Sequence, residues 1–200
     1  FYLFIHQQTD AKGISFPPTN YKIRKVVIDA GHGGKDGGCP SASKKTNEKN
    51  VALSIALKLG QYIEKNLPDV EVIYTRKTDV FLELHERAEI ANKNKADLFI
   101  CVHANSSPSR VMGSESYVMG LKQSNANMEV SKRENSVILM EDNYDIKYEG
   151  FNPNSPEANI IFSLYSNAYL EQSLNIASRV QKYLTDKAGR KDRGVKQAGF

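Results

Sequence analysis

Apolar positions along this chain fall into two kinds of run that alternate. Short blocks rich in β-branched and aromatic residues occupy residues 25–30, 70–75 and 98–103, with a further block at 116–119. Such blocks, bounded by turn residues, read as buried strands. Between them the apolar residues recur every three or four positions, which is the spacing of a helix face. One helix is expected over residues 47–66, with Val51, Ile55, Leu59, Tyr62 and Ile63 as its apolar face, Asn47 as its N-cap and Pro68 closing it. A second is expected from an Asp79 cap to residue 93, with Phe81, Leu84, Ala88 and Ala91 on one side. A third is expected over residues 160–187, where Leu170, Leu174, Ala177, Val180 and Leu184 form the stripe and Gly189 is the stop. Residues 194–200 have the look of an approach to another strand.

Two stretches break the alternation. Residues 1–22 form an extended lead-in, polar after residue 5 and interrupted by Pro17-Pro18. Residues 121–160 are charged and Asn-rich, contain Pro153 and Pro156, and have patchy helical periodicity; they read as an insertion. The fold class expected for residues 23–200 is α/β: an open, twisted, mostly parallel sheet flanked by helices, with an insertion before the last helix.

Composition narrows the partners. A net charge of +4, with no Lys/Arg block interleaved with aromatics, gives no reason to expect a nucleic-acid partner. No apolar run approaches the ~18 residues of a membrane span. Cys39 and Cys101 show no CxxC spacing, so neither a disulfide framework nor a Cys-rich metal site is expected; the sequence leaves open whether they pair. The chain begins without methionine, which fits a removed export signal or a fragment boundary equally well.

Candidate chemistry sits where the strands end. Val26-Val27-Ile28-Asp29-Ala30 runs into Gly31-His32-Gly33-Gly34-Lys35-Asp36-Gly37-Gly38, a glycine loop that lacks the G-x-x-x-x-G-K-[ST] pattern of a phosphate cradle. His103 ends the block at 98–103, and Glu48 opens the helix that follows the first strand. In open α/β sheets, sites form outside the carboxyl ends of the strands. Topology alone therefore brings His32, Glu48 and His103 to one rim. Two imidazoles and one carboxylate, with a fourth position open, are a donor set of catalytic zinc sites. Zinc held this way activates water near neutral pH and stabilises a developing oxyanion. His6, in the lead-in, and His85, in a charged helical stretch, are not expected to be ligands.

At this level of detail the chain resembles a known family. The segments Ile28-Asp29-Ala30-Gly31-His32-Gly33-Gly34, Asn47-Glu48-Lys49-Asn50, Thr75-Arg76-x-x-Asp79, Arg87-x-x-x-Ala91-Asn92 and Val102-His103-Ala104-Asn105 resemble, in order, the motifs of zinc-dependent N-acetylmuramoyl-L-alanine amidases of the amidase-3 type. The resemblance implies zinc on His32, Glu48 and His103, and cleavage of the amide between N-acetylmuramic acid and L-alanine in peptidoglycan. It also implies a periplasmic or otherwise extracytoplasmic location. Arg76, Asp79 and Arg87 match motif positions and are expected to be structural, Arg87 by pairing with a carboxylate.

Two departures qualify the match. The family's later Val-Glu-x-Gly-Phe-like segment, which carries a general-base glutamate, has no counterpart up to Phe200, so the chain reads as truncated before that motif; Glu115 is a conceivable substitute. The insertion at 121–160 resembles a segment that, in some members, covers the zinc with an acidic side chain until an activator protein displaces it. Glu129, Glu134 and Glu141 are the candidate plugs. The competing readings are a zinc peptidase acting within the stem peptide and a wall-binding module without catalysis.

Overall fold

The computed structural model describes residues 2–4, 22–41, 43–105, 111–120, 125–142 and 156–199. Its element order is β1 (Tyr2–Phe4), β2 (Lys25–Ala30), α1 (Glu48–Asn66), β3 (Glu71–Tyr74), α2 (Leu84–Lys93), β4 (Leu98–Val102), β5 (Ser114–Met119), α3 (Asn125–Asn135), a 3-10 turn (Ser136–Met140), α4 (Pro156–Asp186) and β6 (Asp192–Ala198). The strands form one sheet in the order β3-β2-β4-β1-β5-β6. Four of its five pairings are parallel; β1 runs antiparallel to β4. The sequence pattern singles out neither β1 as a strand nor the reversal it introduces. Because β1 is parallel to β5, the strands β5 and β6 run opposite to β2, β3 and β4. The amino end of β5 therefore lies on the rim where β2 and β4 end.

Alternation along the central strands builds a core on each face. Val26, Ile28 and Ala30 pack with Leu98, Ile100 and Val102 against Ala52 and Ala56 of α1. Val27, Phe99, Cys101 and Tyr117 pack on the other face with Ala91 of α2, Ala96 and Ala198. Side chains of successive strand residues point to opposite faces, so one continuous apolar block serves both layers.

The helices meet the expectation only in part: in α1, Leu59 and Ile63 pack against the core as expected, half-buried at its edge. The buried side of α1 is Glu48, Ala52, Ala56 and Gly60, while Val51, Ile55 and Tyr62 are exposed. Small residues win because the helix lies close to the sheet: a Cβ at Gly60 would run into the Tyr74 ring. That rotation places Glu48 at the head of the inward face. Helix α2 begins at Leu84, not near Asp79, and buries Arg87 and Ala91 while Ala88 is exposed. Asp79 instead accepts hydrogen bonds from Gly34 N–H at 2.8 Å and Lys49 Nζ at 2.7 Å. The inward face of α4, where described, centres on Tyr169, Ser173, Ala177 and Gln181, flanked by half-buried Leu170, Leu174, Val180 and Leu184. Among the described residues no helix is long and apolar enough to cross a membrane. Cys39 and Cys101 are not joined in a disulfide.

Candidate metal centre

The site grows from the turn after β2. His32 has φ of +61°, a left-handed conformation that costs a residue with a Cβ. It is held there by its surroundings. Arg87 Nη2 donates to the His32 carbonyl at 2.9 Å, and Arg87 Nη1 donates to Ala30 O at 3.0 Å. Arg76 donates to Ala30 O at 2.9 Å and to Gly31 O at 2.8 Å. Gly31 N–H donates to Val102 O at 3.0 Å, tying the β2 turn to the end of β4. No side chain fits at Gly31, since a Cβ there would lie 2.5 Å from His103 Cε1. At Gly38, φ is +62° and a Cβ would lie 2.6 Å from His32 Cδ2. These glycines let loop, imidazoles and helix start converge.

Arg87 is itself anchored by Asp29. The Asp29 carboxylate accepts from Arg87 Nη1 at 2.8 Å, from Thr75 Oγ1 at 2.5 Å and from Cys101 Sγ at 2.8 Å. Burial pushes that carboxyl upward, but the Arg87 charge and the two further donors outweigh it and hold it below its ordinary value. The same burial, with Asp29 nearby, raises the Cys101 thiol well above its usual range.

Four side chains then meet. His32 Nδ1 donates to Asp36 Oδ2 at 2.7 Å, which fixes the ring and aims Nε2 inward. Nε2 lies 3.2 Å from Glu48 Oε1 and 3.6 Å from Glu134 Oε2, yet it is buried and makes no well-angled hydrogen bond. His103 Nδ1 lies 3.1 Å from Glu48 Oε1 and 3.1 Å from Glu134 Oε2. The two rings meet edge to face with centroids 4.7 Å apart. Glu48 is oriented by the backbone: Cys39 N–H donates to Oε2 at 3.0 Å and Ala104 N–H to Oε1 at 2.7 Å. One ligand atom from each of His32, Glu48, His103 and Glu134 falls within 4.8 Å of the others.

The imidazoles and carboxylates of this arrangement shift one another's protonation. Burial pulls the His32 pKa down, but Asp36 and Glu48 push it up to about 9. Glu48 is driven well below the carboxylate range: burial raises it, and the two histidines more than reverse that. A buried imidazole nitrogen with no hydrogen bond among the described residues, converging with a second imidazole and two carboxylates, is the donor set a divalent metal would satisfy. Asp36 would complete it as the carboxylate behind a ligating histidine.

The remaining sequence candidates separate cleanly. Glu129 is exposed, near Lys132. Glu141 is buried, but its Oε1 accepts Leu84 N–H at 2.7 Å, at the start of α2 and away from the four-residue group. Glu115 pairs with Lys196, Asn105 and Arg193 and is not in that group. His85 lies near Glu83 and Glu141, and His6 lies outside the described residues. Asp36 and Asp29 were missed by sequence reasoning. A carboxylate four residues past a loop histidine is the one signal that could have raised Asp36.

A family model described as N-acetylmuramoyl-L-alanine amidase (amidase-3) matches residues 26–200, which is most of the chain. The chain belongs to this amidase family. A probable amidase AmiB of Haemophilus influenzae is 42% identical over 105 residues, covering 52% of this chain and 24% of its own length. The amidase AmiC of Escherichia coli is 42% identical over 85 residues, covering 42% of this chain and 20% of its own. The chain thus spans about a quarter or less of these amidases. Among solved structures, the catalytic domain of the amidase CwlV from Bacillus (Paenibacillus) polymyxa var. colistinus aligns with a TM-score of 0.58 and 30% identity, over 89% of this chain and 72% of that one.

Proposed function

We propose that this chain is the catalytic unit of a zinc-dependent N-acetylmuramoyl-L-alanine amidase. It hydrolyses the amide between N-acetylmuramic acid and L-alanine of peptidoglycan, outside the cytoplasm, in the periplasm or its equivalent. The observation that carries the reading is the convergence of His32, Glu48 and His103, with His32 Nε2 buried among them and making no hydrogen bond among the described residues. Two imidazoles and a carboxylate favour zinc over a harder ion. A zinc ion bound there supplies Lewis acidity to polarise the scissile carbonyl. The chain's own residues do the rest of the positioning: Asp36 sets the His32 tautomer, and the Cys39 and Ala104 amides lock the Glu48 rotamer.

Glu134 gives the proposal a regulatory half. It reaches the same two histidines from α3 in the insertion, and its carboxylate is held by Arg133 Nη2 at 2.7 Å. On this proposal it fills the fourth position and keeps substrate out until an activator protein draws the insertion away. Where described, the insertion packs Val130 on the sheet and is otherwise tethered by polar contacts. Lys35 Nζ donates to Met140 O, Asn127 to Gln197 O and Asn135 to Gly199 O, while Glu141 accepts from Leu84. Replacing Glu134→Gln in the full-length protein is expected to raise basal turnover without activator; unchanged turnover with zinc bound would refute the plug.

The substrate assignment is tested by mass spectrometry of products from purified peptidoglycan and zinc-loaded full-length protein. The amidase reading predicts whole stem peptides beginning with alanine and intact glycan strands. Peptides cut inside the stem would make it a zinc peptidase. Zinc binding with no release in the Glu134→Gln variant would make it a wall-binding module.

A further inference from the structure

Beside the centre lies a second polar construction that neither metal binding nor the plug uses. Asn105 stands two residues after His103, and its side-chain amide is bonded on both sides. Nδ2 donates to the Glu115 carboxylate, and Oδ1 accepts from Arg133 Nη2 at 2.8 Å. An ionised carboxylate only accepts and a guanidinium only donates, so the amide can sit in one orientation alone. Glu115 stays ionised in this role. Burial raises its carboxyl, but Lys196, Asn105 and Arg193 together hold it below its ordinary value. Lys196 also bonds Glu115 directly from β6, so the Nδ2 side of the amide is braced from the sheet, independently of the insertion.

The group that Asn105 Oδ1 faces is informative. Arg133 Nη2 donates both to Asn105 Oδ1 and to Glu134 Oε1, and the other oxygen of that carboxylate faces His103 and His32. The insertion therefore presents an oxygen at the metal centre with an N–H donor beside it, docked on a fixed acceptor. A peptide presents the same pair: a carbonyl oxygen and, a few bonds away, a backbone N–H. When the insertion leaves, Glu134 and Arg133 leave together, and a braced acceptor remains next to His103.

We propose that Asn105 is a substrate-binding residue whose Oδ1 accepts a backbone N–H of the stem peptide next to the scissile amide, with Glu115 as the positioning residue that fixes its orientation. This rests on the amidase reading and on displacement of the insertion. It assigns the Arg133–Glu134 pair a second property, that of occupying both the metal position and the adjoining peptide position.

The alternative is that Asn105 only anchors the insertion, so the test is made where that anchor is already broken. The parent is the full-length Arg133→Ala/Glu134→Gln variant, assayed on a soluble muramyl-peptide. Adding Asn105→Ala is expected to lower kcat/KM about tenfold, the worth of one hydrogen bond between neutral groups, mainly through KM and with zinc content unchanged. Adding Glu115→Ala is expected to raise KM by a smaller factor. Glu115→Gln, which keeps an acceptor for Asn105 Nδ2, should restore most of that loss. If Asn105→Ala leaves KM unchanged in this parent, the anchor role is the whole of it and the proposal is overturned. If it lowers zinc content, Asn105 acts on the centre and not on substrate, which overturns the proposal equally. A parent that binds zinc but cleaves no amide overturns the amidase reading itself, and that failure shows before Asn105 is touched.

Discussion

Replacing Arg87→Met removes the guanidinium on which the His32 turn hangs while keeping an apolar chain of similar length. The variant leaves Asp29 buried, with hydrogen bonds from the Thr75 hydroxyl and the Cys101 thiol but without its paired guanidinium. It also strips donors from the carbonyls of Ala30, His32 and Leu82. Side chains of the Asp29–Arg87 pair are 4% and 6% exposed, so solvent cannot take over. Breaking a buried pair from one side costs about 3–5 kcal/mol, chiefly because the surviving charge is stranded. Urea unfolding of the full-length protein at pH 7 should show that loss with an unchanged m-value. The double variant Asp29→Asn/Arg87→Met should be more stable than Arg87→Met alone, since no charge is then stranded. The pH dependence has a definite sign. In the wild type the folded Asp29 pKa lies below its ordinary 3.8, so its contribution is fully present above 3.8 and is lost as pH falls through the lower folded value. In Arg87→Met, burial dominates and raises the folded pKa, so the penalty is present at neutral pH and eases on acidification. A cost below about 1 kcal/mol at pH 7, within the range of a solvated surface pair, would refute this reasoning.

Three further outcomes follow from the centre. Asp36→Asn should weaken zinc affinity about 10–100-fold in a chelator competition, because the carboxylate behind His32 is lost; an unchanged affinity would remove Asp36 from the site. Zinc uptake at pH 7 should release protons in weakly buffered solution, because His32, with a pKa of about 9, must give up a proton to bind metal. That release should shrink in Asp36→Asn, and its absence in the wild type would contradict the assignment of His32. Gly38→Ala should disturb zinc binding more than folding, since its Cβ would press on His32 Cδ2 at 2.6 Å and on Glu48 Cβ at 2.8 Å; full zinc occupancy in that variant would contradict the packing described.

The parts of the structure legible in the sequence are those set by local pattern. The apolar blocks of β2 and β4 end in His32 and His103, and a helix starting at Glu48 returns to the same rim, so the three candidate ligands could be read from strand ends alone. The face of α1 was legible only in part: Leu59 and Ile63 pack on the core as expected, whereas Val51, Ile55 and Tyr62 are exposed. Large apolar residues pointed to Val51 and Ile55, whereas close packing on the sheet favours Ala52 and Ala56, and Tyr74 leaves room only for Gly60. The start of α2 was misplaced for a similar reason: Asp79 looked like a cap, but its carboxylate closes the Gly34 turn with Lys49. Glu129, Glu134 and Glu141 are equivalent as letters. Only the register of α3 decides that Glu134 meets the histidines, while Glu141 meets the α2 N-terminus. Strand direction across β1 and β5, which brings Glu115 to the rim where β4 ends and Asn105 follows, is a long-range property with no local signature.

Anomalous diffraction at the zinc edge, from crystals of zinc-loaded full-length protein, tests the metal assignment head-on. One strong peak is expected within bonding distance of His32 Nε2, His103 Nδ1 and a Glu48 carboxylate oxygen, with Glu134 as the fourth ligand while the insertion is closed. Zinc bound elsewhere, with these four side chains left paired only to one another, would show that this cluster is not the metal centre.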